Sequence, residues 1–390
     1  MEQPTSTASP AIEKTQEEIG SIEVTLLSMF SPRKHKLNWL LTAFPIALWA
    51  GFVSHDMNLA FVFSIISIMP IAFLMGKATE EIAHYYSQSI GGLLNATFGN
   101  AVELIIATIA IYTAFKDPSQ SELMLIVVQA SLIGSILGNL LLVAGLSLLW
   151  GGIKYPNQEF SKDANASNGS LLLLAVVALM LPSALGEAGG STSQILDLSR
   201  YTAIVLLIIY ISAMFFQLKT HTHLFEIDSE DDLHELEGLT QKQAWNLLIV
   251  STIMVSIMAE ILVHSIEYTA QDWSLPSLFI GVILLPFFGN AAEHFTAVIV
   301  AGKNKMDLSL GIAIGSSVQI ALLIAPLMVI FAWILGVGLS LNFGPMETTA
   351  TFASILIANF ILSDGKSNWL EGAMLLACYV IMGLAFYNFG

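Results

Sequence analysis

The sequence predicts an all-α integral membrane protein of about eleven transmembrane helices, built as one N-terminal helix followed by two inverted five-helix repeats. Three observations carry that expectation. Of 390 residues, 55% are hydrophobic and only 11% are Asp, Glu, Lys or Arg, against roughly 25% charged in soluble domains; a water-soluble fold of this length would lack the charges to cover its surface. Apolar stretches of about 20 residues, the length that crosses a bilayer, recur along the chain, and mean hydropathy is +0.74. Finally, both halves of the chain carry the same short motif within a long apolar span.

The composition also excludes a disordered chain, a collagen, a disulfide scaffold and a basic nucleic-acid binder. The single cysteine, Cys378, allows no internal disulfide and no thiolate metal cluster. A net charge of −16, from 14 basic and 30 acidic residues, disfavours DNA or anionic lipid as the main partner and suits a protein that handles cations.

Taken in order, residues 1–36 read as a polar cytoplasmic tail with Glu13, Glu17, Glu18 and Glu23. They show no apolar h-region, so no cleaved signal peptide is expected. The extra N-terminal helix occupies 37–56, with its apolar span over 37–54. The first repeat, 57–218, holds spans near 57–76, 90–114, 122–150, 170–186 and 201–218. An acidic cytoplasmic linker covers 219–243, and the second repeat, 244–390, holds spans near 244–266, 275–302, 307–337, 345–363 and 369–388. Several spans exceed the needed length, which implies tilt or breaks, with Pro286 and Pro326 as candidate kinks. With the N-terminus inside, twelve of the 14 Lys and Arg residues fall on cytoplasmic segments and only Lys116 and Arg200 outside, the bias that sets membrane orientation.

The repeat carries chemistry. Residues 99–103 read Gly-Asn-Ala-Val-Glu and residues 289–293 read Gly-Asn-Ala-Ala-Glu. Upstream, Glu80 and His84 are matched by Glu260 and His264; downstream, Gly134-Ser135 is echoed by Gly315-Ser316. Five spans per unit is an odd number, so the second copy enters the membrane from the opposite side. Inverted repeats of this kind place the substrate near the midplane on broken helices. A carboxylate there costs about 2.5–3.5 kcal/mol on insertion scales, so Glu103 and Glu293 are expected to face a cavity, protonated or bound to a cation. Asn100 and Asn290, each three residues earlier, would share a helical face with their glutamates. Gly99 and Gly289 allow close backbone approach or unwinding.

Carboxylates, amide oxygens, freed carbonyls and hydroxyls form an all-oxygen site suited to calcium and unsuited to zinc or copper. Ser131, Ser135 and Asn139 add a polar stripe in the fourth span; Ser316, Ser317 and Gln319 add polar groups in the ninth. Two glutamates can be neutralised by one divalent cation or by two protons. Empty and ionised, they would place two close negative charges in low dielectric, so crossing is cheap only when the site is filled, which makes antiport obligatory. A Glu and a His one turn apart, as in Glu80/His84 and Glu260/His264, could relay protons at the span mouths, or could be ordinary interfacial residues. His294 follows Glu293 directly and points elsewhere on the helix. The linker residues Glu226, Asp228, Glu230, Asp231, Asp232, Glu235 and Glu237 form either a solvated charge run or a weak divalent-cation surface that tunes transport. They lack the ligand order of an EF-hand.

With these residues in view, the chain resembles the calcium/cation–proton exchanger (CAX) family of the cation/calcium exchanger superfamily. The resembling stretches are GGLLNATFGNAVELI (91–105) and LPFFGNAAEHFTAVIVAGKNKMDLSLGIAIGSSVQIAL (285–322). The resemblance implies that Glu103 and Glu293 bind the transported cation, with the neighbouring Asn, Ser and Gln residues completing the site. Sodium-coupled relatives typically carry an Asp late in the second repeat's motif, a neighbourhood that Gln319 occupies here, which favours protons over sodium as the coupling ion; a sodium- or potassium-coupled calcium exchanger of the same superfamily is the alternative. The expectation is therefore a Ca2+/H+ antiporter with Ca2+ and H+ as substrates, the lipid bilayer as its surroundings, no cofactor and no nucleic acid. A prokaryotic plasma membrane is expected ahead of a vacuolar one. An intramembrane enzyme is disfavoured because Glu293-His294 has the wrong order and spacing for a zinc motif, and a symmetric carboxylate pair on Gly-broken spans favours alternating access over a passive channel.

Overall fold

A computed structural model describes residues 26–86, 88–224 and 238–389. Among these residues, nine helices are long and apolar enough to cross a membrane, and a tenth crossing is a bent pair. In chain order they are α1 (Lys36–Ser54), α2 (Met57–His84), the shorter α3 (Gln88–Phe98) and α4 (Ala101–Lys116), then α5 (Ser121–Lys154), α6 (Lys162–Glu187) and α7 (Thr192–Thr220). The second half holds α8 (Gln241–Asp272), the bent pair α9 (Ser277–Gly289) and α10 (Ala291–Ala301), then α11 (Met306–Leu335), α12 (Pro345–Asp364) and α13 (Trp369–Phe389). Helices α3 and α4, interrupted only at Gly99-Asn100, are the first-half counterpart of α9 and α10. Together they are long enough at 1.5 Å per residue to cross about 30 Å of hydrocarbon; counted with the up to ten crossings found by length and composition among the described residues, the pair would give the eleven expected.

Local chemistry sets the starts. Asp56 accepts from Leu59 N at 3.1 Å to cap α2. At α8, Thr240 Oγ1 accepts from Gln243 N while Gln243 Oε1 accepts from Thr240 N, a reciprocal capping box. Burial then sorts the helices: 89% of the apolar window of α5 is enclosed by protein, against 17% for α7. Helix α5 is apolar on all sides because all its sides meet other helices, and α7 is apolar because it faces lipid.

The inversion is visible in α2 and α8, which pack along much of their lengths. The start of α2 meets the end of α8, where Asn58 Nδ2 donates to Asp272 Oδ2 at 2.6 Å. The end of α2 meets the start of α8, where Tyr85 OH donates to Leu239 O at 2.7 Å and Gly238 N to Glu81 Oε1 at 3.1 Å. Equivalent helices of the two repeats therefore run antiparallel.

Three features differ from the sequence-based expectation. The prolines expected as kinks, Pro286 and Pro326, each stand just beyond a π-helical turn, Ile280–Leu284 or Ile320–Ile324, whose wider hydrogen-bond spacing accommodates the missing proline N–H and ring. The break that bends a span by 58° falls at Asn290. A third π turn, Gly138–Val143, sits in α5 without any proline. Last, a two-residue antiparallel ladder pairs β1 (Gln158–Glu159) with β2 (Lys366–Ser367) and ties the loop after α5 to the α12–α13 connection.

Candidate functional site

The two interrupted spans meet at their breaks. A Cβ atom placed on Gly99 would lie 3.0 Å from Glu293 Oε1, and one on Gly289 would lie 3.7 Å from Val102 Cγ1. Each repeat thus packs its break against the motif of the other. Asn100 and Asn290 occupy the N-cap positions of α4 and α10 (φ −103°, ψ 23° and φ −94°, ψ 10°), and neither side chain caps its helix. The asparagines thus sit in the breaks, each three residues before its glutamate, and the Asn100 amide reaches another helix.

The Asn100 amide anchors a network across the two halves of the chain. Asn100 Nδ2 donates to Gln319 Oε1 at 2.7 Å, and Asn100 Oδ1 accepts from Ser316 Oγ at 2.8 Å. Ser316 Oγ in turn accepts from Asn139 Nδ2 at 3.0 Å. Glu103, only 6% exposed, accepts from Ser135 Oγ at 3.4 Å. Glu103 and Glu293 lie in the first turns of α4 and α10, where the positive end of a helix dipole favours a negative group. Among the buried atoms with no hydrogen-bond partner in the described residues are four from the motifs and the network, Glu103 Oε2, Glu293 Oε2, Asn139 Oδ1 and Asn290 Nδ2. Three of them are oxygens, and buried polar atoms of this kind require a partner. No group of three His, Cys, Asp or Glu side chains clusters to hold a metal among the described residues; the donors here are two carboxylates with neutral amides and hydroxyls. Such a set suits a hard cation that is bound and released.

A cavity of about 590 Å3 leads to this point from one side. Its inner end is lined by Gly99, Gly289, Asn290, Glu293, Ser316 and Gln319, and its outer part by Lys77, Glu80 and His84. Glu103 and Ser135 do not line it. The matched pairs therefore part company: Glu80 and His84 lie along the cavity, whereas Glu260 and His264 do not. The latter are about half exposed, with 3.7 Å between Glu260 Oε1 and His264 Nδ1. Ser131 and Ser317 bond back to carbonyls of their own helices, Val128 O and Ala313 O, and stay outside the network. His294 is buried with its ring 6.5 Å from that of Phe287. The acidic residues Glu226, Asp228, Glu230, Asp231, Asp232, Glu235 and Glu237 lie outside the described residues. Sequence reading did not single out Asn95, Thr296 or Lys77, which all line the cavity; Asn95 and Thr296 fall one turn from Gly99 and Glu293, the signal that could have found them.

Comparison with known proteins adds three kinds of likeness. A family described as sodium/calcium exchanger protein matches residues 58–219 and 243–388. The chain is 45% identical over 363 residues to a Ca(2+)/H(+) antiporter of Aphanothece halophytica, covering 89% of this chain and 95% of that one. It is 39% identical over 387 residues to vacuolar cation/proton exchanger 2 of Oryza sativa subsp. japonica, covering 96% of this chain and 85% of that one. Among solved structures, native YfkE superposes with a TM-score of 0.77 at 37% identity, covering 90% of this chain and 99% of that one.

Proposed function

This chain belongs to the sodium/calcium exchanger protein family, in its calcium/cation–proton exchanger branch, and from that premise we propose that it is a secondary antiporter exchanging Ca2+ for H+ across a membrane. The observation that supports the reading is the meeting of two interrupted spans, which seats Glu293 against Gly99, four residues before Glu103, and leaves one oxygen of each glutamate unpartnered among the described residues. A divalent cation satisfies those oxygens and cancels both charges; two protons do the same. An empty, ionised pair has neither compensation and stays where water reaches it. That difference couples the two fluxes.

Access alternates. The present cavity reaches Glu293 from the Glu80/His84 end, which the distribution of Lys and Arg assigns to the cytoplasm. Glu103 is the glutamate closed to that cavity, and by the inverted symmetry it is the one reached from the opposite side. Movement of the α2–α8 pair against the remaining helices exchanges the two openings. Glu80 and His84 pass protons along the cavity wall, and Glu260 and His264 take the equivalent place in the outward-open form. Gln319 donates no carboxylate, so the site holds two acids rather than three, which suits protons over sodium. The N-terminus is cytoplasmic, and the membrane is a prokaryotic plasma membrane; the vacuolar membrane is the alternative, in line with the name of the Oryza relative.

Calcium uptake into everted vesicles, driven by an imposed proton gradient with sodium and potassium omitted, tests this reading. Uptake that collapses with a protonophore is the expected result. Uptake that appears only when sodium or potassium is supplied would replace it with a sodium- or potassium-coupled exchanger.

A further inference from the structure

We propose that Lys77 sets the selectivity of the cation path by acting as a tethered competitor for Glu80. The proposal rests on the exchanger reading above and concerns a residue that the reading leaves unused. Lys77 Nζ lies 3.1 Å from Glu80 Oε2, and the two side chains are only 21% and 26% exposed. Both line the cavity that ends at Glu293, and among the described residues Lys77 is the only lysine or arginine that does. Along α2 the wall runs from buried Ala72 and Met75 to exposed His84. Lys77 therefore lies about one helical turn deeper than Glu80 and about two turns deeper than His84. A cation moving from His84 toward Glu293 passes both charges.

A fixed ammonium in a cation pathway repels its cargo unless something cancels it. Here the cancelling group is the carboxylate at which an entering ion would pause. A tethered ammonium competes for that carboxylate at an effective concentration set by its tether, not by the bulk solution. A dissolved monovalent ion carries the same charge as Lys77 and gains nothing by displacing it. A divalent ion has twice the charge and draws on several oxygens at once, so it takes the carboxylate and Lys77 swings away. The pair thus passes calcium and holds back the far more abundant monovalent ions. Snorkelling to the lipid headgroups, the usual use of a lysine near a span end, would instead turn Nζ away from the cavity.

The test compares wild type with Lys77→Gln, Lys77→Met, Lys77→Arg, Glu80→Gln and the Lys77→Gln/Glu80→Gln double variant, all full-length. Half-saturating Ca2+ is measured for exchange in proteoliposomes and for equilibrium Ca2+ binding in detergent, at about 0.01 M and about 0.3 M KCl. Neutral variants at Lys77 are expected to bind Ca2+ about three- to ten-fold tighter at low salt, to lose that gain at high salt and to keep a near-normal saturated rate. Lys77→Arg should track wild type. In the Glu80→Gln background, neutralising Lys77 should change nothing. Neutral variants matching wild type in half-saturation and KCl sensitivity would overturn the proposal, as would an undiminished effect without Glu80. The binding arm reads Lys77 even where the wild type shows no proton-coupled flux, a result that would remove the exchanger reading alone.

Discussion

Glu293 Oε1 rests against the backbone of Gly99: a Cβ atom at Gly99 would lie 3.0 Å from that oxygen and 2.7 Å from the Asn95 carbonyl. The acid of the second repeat is therefore seated on the break of the first. The reverse seat is looser, since a Cβ at Gly289 would meet only Val102 Cγ1, at an ordinary 3.7 Å. Gly99→Ala should accordingly weaken Ca2+ binding by about ten-fold or more, because a displacement of well under 1 Å is costly where geometry must be held. Gly289→Ala should stay within about two- to three-fold of wild type. Equal losses in the two variants, measured by Ca2+ titration of purified protein, would contradict this asymmetry.

Neutral isosteres at the two acids test the site itself. Glu103→Gln and Glu293→Gln each remove half of its charge and one titrating group while keeping volume and avoiding the insertion cost of an ionised carboxylate. Each should reduce Ca2+/H+ exchange by about 100-fold or more in protein that remains inserted and monodisperse. Near-normal exchange in either variant would argue against the pairing.

Asn100 is the hub between the repeats, holding Ser316 and Gln319 at once. Asn100→Ala leaves Gln319 Oε1 without its donor and the Ser316 hydroxyl without its acceptor, although Ser316 keeps Asn139, at a cost of about 1–3 kcal/mol for a buried group left unpaired. The expected outcome is a lower thermal transition together with weaker Ca2+ binding. Stability equal to wild type, read by thermal unfolding in detergent, would show that the network does not hold the breaks together.

Much of this was legible in the sequence. The paired Gly-Asn-Ala-x-Glu strings, their depth and the odd number of spans between them gave the inverted architecture and the two glutamates, because repetition and buried charge survive in one dimension. The Asn100 contact was not legible, because nothing in one dimension shows its amide reaching Gln319 on α11. Nor do the prolines reveal the π turns that precede Pro286 and Pro326. Sequence symmetry also treats Glu80 and Glu260 as equals, yet Glu80 lines the cavity that reaches Glu293 and Glu260 does not.

Away from that cavity α5 and α9 approach closely. A methyl group at Gly281 would collide with the Ala130 side chain, and one at Gly134 would collide with Val282 O and Pro286. Gly311, which lines the cavity, and Gly315 have nothing within 4 Å of the equivalent position. Under the proposed alternating access, this glycine-dependent α5–α9 contact is the expected seal of the opposite side. Gly281→Val should wedge the seal apart and favour the opposite opening. In a Cys378→Ala background, a cysteine at Ser131 should then label faster with a membrane-impermeant maleimide and one at Thr296 more slowly. Unchanged labelling at both positions would exclude the seal.

The central claim, that the same two carboxylates carry either calcium or protons, is tested most directly by proton release on calcium binding. Purified protein in weakly buffered detergent solution is titrated with Ca2+ while a pH indicator counts the protons displaced, since cation binding to protonated ligands must release them. Wild type should release protons in step with Ca2+ bound, Glu103→Gln and Glu293→Gln should each release fewer, and the double variant none. Calcium binding without proton release in wild type, or release that persists undiminished in the double variant, would contradict the account.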